Sequence, residues 1–105
     1  MPMQPVTVPL NEPIEGHEGK VTSITVRPAT YATIMRLGEP YTTVRTKDGA
    51  MYALEDPATI NAYLEAMVED RAVALLPQLG MADTLALKKA VLDFFASARM
   101  VNSAT

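Results

Sequence analysis

The 105 residues include no cysteine and no tryptophan. The first absence excludes disulfides, thiolate catalysis and cysteine-type zinc sites, and fits a reducing compartment. The second, with aromatics at only 6%, calls for an aliphatic core. Positive charge is also scarce: nine Lys+Arg against twelve Asp+Glu give a formal net charge of −3 and a sequence pI of about 5.0. Counterion release therefore has no obvious cation source, and nucleic acid is not an expected partner. No stretch approaches the roughly 20 apolar residues of a membrane span, and the opening MPMQPVTVPLNEP lacks a basic segment followed by an apolar run. The reading is a cytosolic protein with no membrane partner.

Chemistry-bearing patterns are equally sparse. The single histidine, His17, lies between Gly16 and Glu18 with no second histidine to share a metal, and it reads as a solvated turn residue rather than a general base. Ser23, Ser97 and Ser103 have no nucleophile-elbow glycines, and there is no GxGxxG or phosphate loop. The acids are spread along expected helix faces rather than paired. No catalytic, cofactor or metal site is expected, and the protein reads as a non-enzyme.

Hydrophobic content of 49% against 20% charged points to a globular chain, and the length to one domain over 1–105 with disordered ends at 1–5 and 100–105. Four of the eight prolines, Pro2, Pro5, Pro9 and Pro13, fall in the first thirteen residues, which excludes helix there and restricts the segment to an edge strand. Val6, Val8 and Leu10 alternate before the turn at Gly16 to Gly19, and Thr22, Ile24 and Val26 alternate after it, an antiparallel hairpin. Thr30 is placed to cap a short helix over YATIMRLG. Asp48-Gly49, flanked by β-branched and aromatic residues, predicts a second hairpin over 41–54. Asp56-Pro57 opens a helix presenting Ile60, Leu64, Met67 and Val68; a shorter helical stretch follows until Pro77 and Gly80. The fold class is α+β: a small antiparallel sheet of one or two hairpins, then C-terminal helices packed on one face.

The last helix, read from Asp83 to about Arg99 with Asp83 as its cap, carries the widest apolar stripe. Leu85, Val91, Leu92, Phe95 and Ala98 form one row and Leu87, Val91 and Phe94 a second beside it. Together the rows exceed what one small sheet covers, so the margin with Met81, Leu87 and Phe94 is expected to be exposed as a partner-binding or self-association surface. The seven methionines serve either as core filler or as adaptable contact surface. Glu65, Glu69 and Asp70 form an acidic surface able to orient a basic partner.

The order of features resembles the small tail assembly chaperones of Mu-like contractile-tailed phages and prophages. The stretch VTVPLNEPIEGHEGKVTSITVRPAT carries the likeness through Pro13-Ile14, Gly19, Ile24, Val26, Arg27 and Ala29-Thr30. The closing helix carries it again in Ala90-Val91-Leu92-Asp93-Phe94-Phe95, whereas TKDGAMYAL departs from the pattern. The resemblance implies a cytoplasmic host-cell protein, not retained in the virion, that binds a helical segment of the tape measure protein and keeps it soluble while tail tube subunits polymerise. A groove that accepts amphipathic helices needs no catalytic group for this. A small structural tail or virion adaptor subunit, or a DNA-linked regulator, are the readings of other classes; the missing basic patch counts against the last.

Overall fold

The computed structural model describes residues 3–103. Strands β1 (Val6–Gly16) and β2 (Gly19–Val26) form an antiparallel hairpin closed by His17-Glu18. Val8 faces Ile24 and Val6 faces Val26, so the period-2 alternation puts one row of aliphatic side chains on the inner face. Between Pro9 and Ile14 the register shifts, because β1 uses more residues than β2 does between Ser23 and Val21. Prolines at both ends of this bulge cannot donate to a ladder, and the extra residues turn the backbone N–H groups of Asn11 and Glu12 away from β2.

Helix α1 (Tyr31–Leu37) starts where Thr30 Oγ1 accepts from Thr33 N–H, as the sequence predicts, and stops at Gly38, whose φ of 77° favours glycine. The second hairpin is present as β3 (Tyr41–Arg45) and β4 (Met51–Glu55), with Val44 opposite Tyr52. Its loop is a three-residue Lys47-Asp48-Gly49 connection: Gly49 N–H donates to Thr46 O at 3.1 Å, Thr46 N–H donates to Ala50 O at 2.8 Å, and Gly49 has φ 91°. The hairpins form two separate two-stranded sheets.

Helix α2 (Pro57–Met67) opens with Pro57 after Asp56; α3 (Asp70–Val73) and a 3-10 turn (Leu76–Gln78) lead to α4 (Met81–Ser103). Helix α4 packs on β1, β2 and α2, the arrangement expected from their apolar faces. The core joins Val8, Ile14, Ile24 and Val26 to Tyr63, Met67 and Val68 and to Leu87, Val91 and Phe94. Tyr63 meets Phe95 edge-on with ring centroids 5.0 Å apart, and its hydroxyl donates to Gly38 O. The fold class is α+β, but only the first hairpin is covered by helices. The Cα radius of gyration of 15.2 Å exceeds the roughly 13 Å of a compact domain of this length, in keeping with the uncovered second hairpin.

Four details differ from the sequence reading. Helix α4 begins at Met81 and continues through Met100 to Ser103, so part of the expected disordered end is helical. Met3 packs against the core, while residues 1–2 and 104–105 lie outside the described residues. Pro77 lies within the 3-10 turn instead of ending a helix before it. The inner row of α4 is Asp83, Leu87, Val91 and Phe94, whereas Leu85, expected inside, is 54% exposed.

Candidate functional site

Because the α3 helix is only a turn long and the 3-10 turn follows at once, the chain crossing from α2 to α4 lines the space between those helices without filling it. The result is a groove of about 370 Å³. Leu64 of α2, Val73 of α3, Leu76 and Leu79 around the 3-10 turn and Leu87 of α4 provide its apolar lining. Asn61, Glu65 and Thr84 supply the polar groups, and Asn61 Nδ2 donates to Glu65 Oε1 at 3.4 Å. Among the lining residues Glu65 is the only ionisable one. With one acid and a leucine-rich lining, the groove suits a row of apolar side chains with a cation beside it better than a small polar substrate.

The structure separates the residues that the sequence reading grouped as one surface. Glu65 and Leu87 meet in this groove, although Leu87 is its floor, only 1% exposed. Phe94, 8% exposed, belongs to the core and borders a small recess of about 60 Å³ with Met3, Ile34 and Phe95. The expected exposed margin at Leu87 and Phe94 is thus overturned: the row is used up by the first hairpin and α2. A glutamate at Phe94 would bury a carboxylate and destabilise the fold, which removes that position as a surface probe. Met81 is 82% exposed, as expected.

Glu69 and Asp70 lie at the α2–α3 junction, against β2. Glu69 Oε2 accepts from Thr25 N–H at 2.6 Å, its N–H donates to Thr25 O at 3.0 Å, and Arg71 pairs with its carboxylate. Burial acts to raise the Glu69 pKa, but the Thr25 N–H and the Arg71 guanidinium outweigh it and hold the carboxyl below its ordinary value. Glu69 therefore serves as a substitute strand for the edge of β2, where Val68 also bridges Val26. Asp70 is exposed and takes Arg27 Nη2 at 3.3 Å, a surface pair of small energetic weight.

Asp83 has a similar structural task, which the sequence reading placed instead at the start of α4. Its Oδ1 accepts from Asn11 N–H at 2.8 Å and Asn11 Nδ2 at 3.2 Å, and its Oδ2 from Glu12 N–H at 3.1 Å. The side chain is aimed at the β1 bulge and the residue is 2% exposed. The Asn11 N–H, against the opposing effect of burial and with help from Glu12, holds its carboxyl below the usual range. Gln78 repeats the device nearby: its Oε1 accepts from Glu15 N–H at 2.8 Å and its Nε2 donates to Glu15 O at 3.0 Å. The signal for these ties was the Pro9-to-Pro13 spacing, which marks strand N–H groups in need of acceptors.

Beside the turn at His17 a second depression of about 400 Å³ is lined by Lys20, Arg71 and Leu75 among others. Among the described residues no group of His, Asp and Glu is placed to hold a metal ion, and no helix is long and apolar enough to cross a membrane. Compared with protein-family models, curated proteins and solved structures, the chain has no significant match.

Proposed function

We propose that the chain is a phage tail assembly chaperone that holds an amphipathic helical segment of the tape measure protein in the cytoplasm of the host and leaves before the virion is complete. The groove between α2 and α4 carries this reading: a leucine-lined trough with Glu65 on it accepts a helix with an apolar row and a flanking Lys or Arg. The sequence resemblance supplies the identity of the partner. Nothing in the reading requires catalysis, so the output is solubility of the bound segment.

Co-expression with the tape measure protein tests it. The partner is expected to become soluble and to co-purify. Asn61→Trp, which fills the groove from an exposed position, and Glu65→Lys, which reverses its charge, are expected to weaken co-purification while leaving the thermal melt in place. Two proteins that purify separately, or this chain retained in finished particles as an adaptor subunit would be, overturn the proposal. Binding indifferent to both substitutions moves the site away from the groove.

A further inference from the structure

The second hairpin is the largest part of the molecule that the proposed function leaves unused. Tyr41 and Glu55, opposite each other, face α4: Arg99 Nε donates to Tyr41 Oη at 3.0 Å with the guanidinium 5.2 Å from the ring centroid, and Lys88 Nζ lies 2.5 Å from Glu55 Oε1. The other face carries Val44, Tyr52 and Leu54, the last two 49% and 54% exposed, with nothing over them. The ladder has narrow, hydrogen-bonded ends at Thr46–Ala50 and Pro40–Asp56. Alternation between them turns Tyr52 and Leu54 toward β3 and leaves the N–H and C=O of Met51, Ala53 and Glu55 pointing outward along the free edge of β4.

We propose that two copies of this chain join through the outer edges of β4, antiparallel and two-fold symmetric about Ala53. The edge is complementary to itself in this register. Ala53 faces Ala53 of the second copy and exchanges both hydrogen bonds, Met51 faces Glu55, and Tyr52 faces Leu54, so no like charges oppose each other and the apolar faces merge into one strip. Arg45 Nη2 lies 3.8 Å from Met51 Sδ, so its guanidinium leans over β4 toward the place that the carboxylate of Glu55 of the second copy takes. From Met51 to Leu54 the edge has no proline, glycine or charge of the kind that blocks strand addition. The edge of β3 is less open, because Tyr41 is half-buried beneath Arg99.

Sedimentation of the intact chain across a concentration series tests the pairing. A monomer–dimer equilibrium is expected, with Ala53→Pro weakening it by about tenfold or more because it removes an outward N–H, and with Thr43→Pro, on the opposite edge, leaving it unchanged. A cross-link gives an independent measurement. The chain has no cysteine, and the roughly 5.5 Å Cα separation of a narrow antiparallel pair lies within reach of a disulfide. Ala53→Cys is expected to oxidise rapidly to a covalent dimer, and Lys47→Cys at the tip only slowly. A monomer at every concentration, Ala53→Pro behaving as the parent, Thr43→Pro weakening the dimer as much, or equal cross-linking at both positions each overturns the proposal.

Discussion

In the first hairpin Ile24 and Val26 are enclosed with Tyr63, Met67, Leu87, Val91 and Phe94, whereas every residue of β4 in the second faces solvent. Both hairpins carry an apolar face and a suitable turn, so local propensity does not separate them. The supply of partner surface does. Helix α4 has one buried row, Leu87, Val91 and Phe94, and the first hairpin and α2 take it. The edges differ in the same sense: Asp83, Gln78 and Glu69 satisfy exposed N–H groups of β1 and β2, while side-chain acceptors of this kind do not reach β4. A hairpin on its own is marginal in water, so the second depends on its turn, its ties to α4 and whatever covers it.

Substitutions can sharpen this contrast. The largest effect is expected for Ile24→Ala, at about 2–5 kcal/mol for a fully buried aliphatic side chain, while Leu54→Ala on the second hairpin is expected to stay within about 0.5 kcal/mol; denaturant melts of the two variants at low concentration measure it. A comparable loss at Leu54 would mean that the second hairpin is covered in solution. Next in size is Asp83→Ala, which frees the Asn11 and Glu12 N–H groups and is expected to lower the melting temperature by several degrees.

Acid provides a graded version of the same test. Asp83 and Glu69 both have lowered pKa values in the folded chain, so their contribution is complete above the ordinary carboxylate values of about 4 and is lost as pH falls through the depressed ones. Melting temperature measured from pH 7 to pH 2 is expected to fall less steeply in Asp83→Asn than in the parent; parallel curves would exclude Asp83 as a contributor. The smallest effect is expected from Arg99→Gln, which removes the stacked guanidinium from Tyr41. Global stability is expected to change by less than about 1 kcal/mol, but amide hydrogen exchange in Tyr41–Arg45 should accelerate while Thr22–Val26 stays protected.

Period and turn chemistry made most elements legible: Thr30, Gly38, Asp48-Gly49 and Asp56-Pro57 each mark the boundary they suggest. Which row of α4 turns inward was not legible, since Leu85, Leu92 and Phe95 are as apolar as Leu87, Val91 and Phe94. The choice follows from Asp83, whose tie to β1 fixes the rotation of the helix and brings the positions four, eight and eleven residues later onto the same side. The groove was half legible: Glu65 and Leu87 were singled out, but their meeting place depends on how α3 and the 3-10 turn cross between helices, a tertiary matter that no local pattern encodes. Glu69 read as surface charge because a carboxylate standing in for a strand partner looks, in sequence, like any other acid on a helix.

The bond from Asp83 to Asn11 also sets an order of events in time. It closes a loop of 72 residues, and β1, whose bulge it satisfies, leaves the ribosome long before the first turn of α4 does. The early hairpin therefore waits with open N–H groups and bare valines until the residues beyond 83 have emerged, so closure of this fold is a late, long-range step and the newborn chain is most vulnerable to misassociation just before it.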